Sequence, residues 1–299
     1  MEEVYLYKKL KDNKVQCQNC AHYCNVSPGN RGICGVRENI NGKLYALNYG
    51  KIIACHIDPI EKKPLYHFLP GTYSLSIAAV GCNFACQNCQ NWHISQVPKP
   101  KKPIGGEEIT PQEIVNLALK DKLPSISYTY TEPAIFSEYA LDTMKIARKS
   151  RLKNVWVSNG FWSKELFELV YPYVDAANID LKSFDDDFYK KVCQGRLQPV
   201  LDTLKRLKTL RRGSGQEKIW VEITTLVIPG LNDQDKMFKD IAGFIKKELG
   251  AETPWHVSRF FNDVSWQLKD LPLTPSETIK RACQIVQEAG LKHVYEGNM

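Results

Sequence analysis

VGCNFACQNCQNW, residues 80–92, places Cys82, Cys86 and Cys89 in a CX3CX2C spacing at the end of an apolar run. Three thiols are one short of the four that close a structural zinc site or an ordinary iron–sulfur cubane. Held this close together, they can bind three irons of a cubane and leave the fourth open to an outside amine and carboxylate. The spacing therefore suggests a site built to hold a small molecule on metal.

Upstream, YSLSIAAVG (73–81) reads as a buried strand, so the cysteines open the loop at its C-terminal end. Downstream, Thr110 and Pro111 start a helix over 110–120. The pattern then alternates, with strands expected over 125–133, 154–160, 176–184, 218–228 and 254–260. Helices are expected over 134–149, 163–174, 199–212, 233–249 and 274–290, and a short strand over 293–297 closes the chain. RRGSGQEK (211–218) reads as a loop. Six strand-then-helix units argue for a parallel sheet covered by helices and curved toward a partial or full barrel. Folds of this kind carry their sites at the C-terminal ends of the strands. Polar residues gather at those ends: Thr131-Glu132-Pro133, Ser158-Asn159-Gly160, Asp180 and Lys182, Ile228-Pro229-Gly230, and His256, Ser258 and Arg259. Asp180 and Lys182, two apart, share one face of a strand.

Residues 1–71 differ in character, being rich in Cys, Gly, Asn and Lys and ending in PLYHFLPG (64–71). They are expected to form a Cys-rich lobe and connector, with the core domain over 72–299. Cys17, Cys20, Cys24 and Cys34 make a CX2CX3CX9C set, enough soft ligands for one closed metal site. Zinc and an auxiliary iron–sulfur cluster both remain open there. His22 and Cys55 are spare candidate ligands, and Cys193 and Cys283 read as small buried hydrophobes.

The whole chain has 299 residues, 43% apolar and 24% charged, with a formal charge of +7. That is an ordinary soluble composition, and its scattered cations suit a solvated surface better than a nucleic-acid face. No run approaches membrane-spanning length, and the start, MEEVYLYKKLKDNK, has no apolar h-region. Ten cysteines without an export signal point to metal in a reducing cytoplasm rather than to disulfides.

The cysteine loop and the alternation behind it resemble the radical S-adenosylmethionine enzymes over residues 72–295. More narrowly, PGNRGICGVREN, DPIEKKPLYHFLPG, VGCNFACQNCQNW, YTYTEP, VSNG, IDLKSF, LVIPGLND and PWHVSRF resemble the glycyl-radical (pyruvate formate-lyase) activating enzymes. The likeness extends to the radical enzyme that goes with Memo-like and AMMECR1-like proteins, the AmmeMemoRadiSam system. The resemblance implies an α/β fold, a partial (β/α)6 radical-SAM barrel with a small Cys-rich metal-binding N-terminal lobe. It implies a [4Fe-4S] cluster on Cys82, Cys86 and Cys89 with S-adenosylmethionine on the open iron. It assigns Thr131 and Glu132 to the methionine amine, Ser158 and Asn159 to the methionine or ribose, and Asp180 and Lys182 to the carboxylate and the substrate side. Ile228 and Gly230 would line the adenine, and His256 would face the adenine or the substrate. Two positions depart from the family pattern. Asn88 stands where an aromatic often precedes the third cysteine, and Tyr130-Thr131-Glu132 replaces a Gly-Gly-Glu motif.

The implied chemistry is reductive cleavage to a 5′-deoxyadenosyl radical that abstracts a hydrogen, with a protein or peptide as substrate and ferredoxin or flavodoxin as reductant. Two rivals stand beside it: a radical enzyme that modifies RNA, and a non-enzymatic zinc module that binds RNA. Neither a membrane nor nucleic acid is expected as a partner on the main reading.

Overall fold

The computed structural model describes residues 1–99, 101–209 and 218–298. The loop expected over 211–218 lies outside the described residues except for Lys218.

The chain begins with two small antiparallel sheets. One orders β1 (Glu2–Glu3), β6 (Lys43–Ala46) and β5 (Arg37–Ile40); the other orders β2 (Tyr7–Lys9), β3 (Val15–Cys17) and β4 (Asn25–Val26). Val4, Val15, Val26, Leu44 and Ala46 are buried between them in a core of their own.

β7 (Lys51–Pro59) then enters the main sheet, pairing antiparallel with β8 (Tyr73–Ala79) and with β9 (Glu107–Glu108). The remaining strands are β10 (Ser125–Tyr128), β11 (Lys153–Ser158), β12 (Ala176–Asp180), β13 (Trp220–Val227), β14 (Trp255–Arg259) and β15 (Val294–Gly297). The nine-stranded order is β15-β14-β13-β12-β11-β10-β8-β7-β9, and every pair from β8 to β15 is parallel. Among the described residues the two end strands do not pair, so the barrel is partial.

The helices are α1 (Trp92–Ser95), α2 (Pro111–Lys120), α3 (Ser137–Lys149), α4 (Lys164–Val170), α5 (Asp186–Phe188), α6 (Leu197–Thr209), α7 (Asp235–Phe244) and α8 (Ser276–Glu288). α2 begins where the sequence signals it, with Thr110 and Glu113 forming a reciprocal capping box and Pro111 opening the first turn. Two helices run on into π turns, Tyr189–Cys193 after α5 and Ile245–Leu249 after α7. No helix among the described residues is long and apolar enough to cross a membrane.

Strand alternation divides the sheet's two faces. Ile126, Tyr128, Trp156, Ala177, Ile179, Val221 and Ile223 face the helices in the main core. The opposite face is largely polar, with Ser74 bonded to Ser127 at 2.6 Å and Thr224 to Asn178 at 2.9 Å. The segment after β7 lies against this inner face. Ile60, Leu65 and Phe68 pack on Val155, Val157 and Ala176. Asn178 donates to the Pro64 carbonyl at 2.7 Å, and the Tyr66 and His67 amides donate to Glu222 at 3.0 and 2.9 Å. Lys63, almost wholly buried, pairs with Asp58 of β7 at 2.6 Å and stands over the Tyr130 ring.

Candidate active site

β8 ends at Ala79, and Gly81 turns the chain into the cysteine loop at a left-handed φ of +108°. A Cβ there would stand 2.8 Å from Val36, so the N-terminal strands also abut the loop's first residue. The loop is held from below by the π turn. The Ala85 amide donates to the Cys193 carbonyl at 3.0 Å and the Gln87 amide to the Val192 carbonyl at 2.9 Å. The Phe84 ring is wedged over Gly195 and packs on Phe161.

These contacts bring Cys82, Cys86 and Cys89 to one rim. Cys82 lies within electrostatic reach of Cys86 and Glu132, and Cys89 of Cys86 and Lys182. Burial pushes the Cys82 and Cys89 thiols up. Cys86 is pushed well up by a hydrogen bond with Cys193 and by burial. Bare thiols at this rim are therefore protonated, and it takes metal to draw out the thiolates. Two ammonium groups stand near. Lys99 donates to the Phe84 carbonyl at 2.7 Å and is within reach of Cys34, Cys82, Cys86 and Cys89. Lys182 is within reach of Cys86 and Cys193.

Glu132 is the second feature. Its carboxylate accepts from Ser158 Oγ at 2.7 Å, the Asn159 amide at 2.8 Å and the Ala134 amide at 3.1 Å. Burial nonetheless pushes its carboxyl up to about 7. Thr131 Oγ1 donates to the Ala79 carbonyl at 2.7 Å, tying this segment to the end of β8. Asn159 Nδ2 reaches Asn83 Oδ1 at 2.7 Å, inside the cysteine loop. Thr131, Glu132, Ser158, Asn159 and Cys82 thus form one connected cluster.

Asp180, the last residue of β12, pairs with Lys182 at 2.8 Å. Burial pulls the Lys182 ammonium down, but Asp180 and the nearby thiols outweigh it and hold it well above the ordinary lysine value. The Tyr189 hydroxyl accepts from the Lys182 amide at 3.0 Å, and Asn232 donates to the Lys182 carbonyl at 2.6 Å. The same Asn232 accepts from the Ile228 amide at 2.6 Å, so the turn carrying Ile228 and Gly230 is fastened to this pair. Gly230 caps that turn at φ +75°, with open space where its Cβ would be.

His256 is placed differently. It shares a lateral row with Asp180 and Thr224, but its ring bonds Glu222 at 2.7 Å and lies against Tyr66 and Tyr295. That partner belongs to the polar cluster around residues 66–67, and no contact joins His256 to the cysteine loop among the described residues.

Cys17, Cys20, Cys24 and Cys34 line one small cavity together with His22, Arg37 and Asn83. The His22 ring bonds the Asn83 carbonyl at 2.9 Å. Cys55 sits on β7, away from this cavity. Among the described residues, no three His, Cys, Asp or Glu side chains stand at metal-bonding spacing around one point.

Residues 76–242 match the Radical SAM superfamily, more than half of the chain. The chain belongs to the Radical SAM superfamily. Over all 299 residues it is 48% identical to the uncharacterized protein MJ0808 of Methanocaldococcus jannaschii, spanning 86% of that protein. It is 21% identical to the pyruvate formate-lyase-activating enzyme of Clostridium pasteurianum over 222 residues, covering 70% of this chain and 87% of that one. A radical SAM methyltransferase from Sphaerobacter thermophilus shares the fold with a TM-score of 0.55 at 15% identity, over 78% of this chain and 68% of its own. The protein is therefore an enzyme, of a family whose members work with a [4Fe-4S] cluster and S-adenosylmethionine. The residues present supply the donor set for that cluster: three thiols on one braced loop, with two ammonium groups at hand to offset an anionic thiolate-bound group.

Sequence reasoning missed Lys99, Asn83 and Cys193 as neighbours of the site. Cys193 stands alone in the sequence as a small buried hydrophobe, and only the π turn brings it to Cys86.

Proposed function

We propose that this enzyme reductively cleaves S-adenosylmethionine and uses the resulting radical to abstract a hydrogen from a protein or peptide partner. A [4Fe-4S] cluster on Cys82, Cys86 and Cys89 would supply the electron that breaks the sulfonium into methionine and a 5′-deoxyadenosyl radical. The chain's own part is to bind, orient and exclude water. Glu132, steered by Ser158 and Asn159 and flanked by Thr131, receives the methionine ammonium, whose positive charge draws the carboxyl back to its ionised form. Lys182, aimed by Asp180, receives the methionine carboxylate. Ile228 and Gly230 offer an apolar, open turn to the adenine, and His256 orients the adenine or substrate from the inner face.

The observation that carries this reading is the meeting at one rim of the three-cysteine loop, the Glu132 network and the Asp180–Lys182 pair. A protein substrate is favoured by the likeness to an activating enzyme, which is an argument by analogy. On the same grounds the reductant is a ferredoxin or flavodoxin, the setting is the cytoplasm, and Memo-like and AMMECR1-like proteins are the partners to try first. The four N-terminal cysteines hold zinc or a second cluster.

The test is anaerobic. Protein reconstituted with iron and sulfide is given S-adenosylmethionine and dithionite, and 5′-deoxyadenosine is measured beside a Cys82/Cys86/Cys89 triple alanine variant. Product from wild type alone is expected. No product from a cluster-loaded wild type, with or without candidate partners, rejects the proposal. Turnover of a small metabolite in preference to any peptide rejects the substrate class.

A further inference from the structure

We propose that Cys17, Cys20, Cys24 and Cys34 bind one zinc ion, not an iron–sulfur cluster, and that this ion fastens the N-terminal strands to the loop carrying Cys82. The inference narrows the reading just given for these four cysteines and stands apart from the radical chemistry.

Size is the first argument. The cavity the four thiols line admits the centre of a water-sized sphere over only about 10 Å³. That is room for one ion or one water molecule. A cubane adds four irons and four sulfides and needs many times that volume. The walls cannot spread cheaply to admit it. The Cys17 amide is bonded to the Cys24 carbonyl at 2.9 Å, Cys20 bridges to Trp162, and the Ala21 amide donates to the Phe161 carbonyl at 3.2 Å. No three of these thiols stand at metal-bonding spacing among the described residues, so closing them on one ion asks for side-chain rotation. A rotamer change at χ1 moves Sγ on the order of 3 Å without disturbing the backbone.

Charge is the second. Zinc held by four thiolates carries a net double negative charge and calls for N–H donors around the sulfurs. Two buried donors on residues lining the cavity have no partner among the described residues: Arg37 Nε and Asn83 Nδ2. An orphaned buried N–H is costly, so two on residues lining one cavity point to an acceptor there. Arg37 keeps its charge at every accessible pH, and Glu138 occupies its other nitrogens at 3.0 and 2.7 Å. A third unpaired atom, Asn19 Oδ1, is an acceptor and plays no part in this account. Among single ions, four soft thiolates in a closed site select zinc.

The location gives the ion its consequence. Asn83 follows Cys82 directly, its carbonyl bonds His22, and its Oδ1 accepts from Asn159. One ion would therefore brace the cysteine loop at Asn83, in addition to the π-turn contacts at Ala85 and Gln87.

The experiment uses the full chain. Elemental analysis and zinc-edge X-ray absorption are run on wild type and on the Cys82/Cys86/Cys89 triple alanine variant. One zinc per chain in both proteins, with four sulfurs at about 2.3 Å, is expected. Iron retained in the triple variant, as a cluster or as a single tetrathiolate ion, overturns the proposal. So does absence of zinc, or zinc bound through nitrogen or oxygen. A Cys17→Ser/Cys34→Ser variant should lose the zinc while Cys82, Cys86 and Cys89 still take up iron, and zinc retained there also counts against it. Because zinc is read without any turnover, failure of the deoxyadenosine assay leaves this inference standing.

Discussion

Glu132 shows how a single side chain can be tuned by where it is buried. Its folded value of about 7 lies above the ordinary 4.5, so the unliganded fold favours the protonated acid. The sign follows from linkage: its contribution to stability is complete below about 4.5 and is lost as pH rises through about 7. Glu132→Gln stays neutral throughout. In thermal melts without S-adenosylmethionine, the variant should gain on wild type as pH goes from 5 to 8. A gap that does not change with pH would remove burial as the cause. S-adenosylmethionine affinity should fall by roughly tenfold or more in the same variant, since a charge-assisted bond to the ammonium is lost. Gly195 makes a steric prediction. An added Cβ would overlap the Phe84 ring, which is itself buried and packed on Phe161. Gly195→Ala should cost about 1–3 kcal/mol in denaturant unfolding and reduce iron uptake by the adjacent loop.

Among the elements, α2 and the π turn illustrate opposite degrees of legibility. α2 has its start signal in three adjacent facts: Thr110, Pro111 and Glu113. Thr110→Ala should cost about 1 kcal/mol, because one orphan amide loses its acceptor and the box is broken. A drop of about 2 °C in Tm would register it, and an unchanged Tm would mean that packing of Ile114, Val115 and Ala118 carries the helix alone. The π turn Tyr189–Cys193 has no comparable signal. It follows from where its carbonyls must go, two of them to the amides that flank Cys86.

At the scale of the molecule, Arg37 and Glu138 hold the small N-terminal sheets to the barrel. Arg37 lies on β5 and Glu138 on α3, both almost fully buried, in a two-pronged pair. Arg37→Met leaves Glu138 uncompensated, and a loss of about 3–5 kcal/mol is expected in denaturant unfolding. The double variant Arg37→Met/Glu138→Leu should recover much of that loss. If the single and double variants were equally unstable, packing and not the ion pair would be what joins the two parts.

Much of the framework is local and was legible in the amino acids alone. The period-two and period-3.6 runs, the Thr-Pro helix start and the CX3CX2C loop behind a buried strand each depend on near neighbours. The same holds for the polar strand ends, because parallel strands alternating with helices bring those ends to one rim whatever the details. Distant partners were not legible. β7 pairing antiparallel to β8 carries residues 51–59 into the barrel sheet, which no periodicity in that stretch announces. Cys193 meets Cys86 only through a π turn, Lys99 reaches the cysteines from a loop, and Glu222 captures His256 from the neighbouring strand. Each of these is set by which strands, turns and loops the fold lays side by side. Spacing along a sequence encodes which residues share a face or a loop, whereas the partner across a gap is decided by the packing of the whole fold.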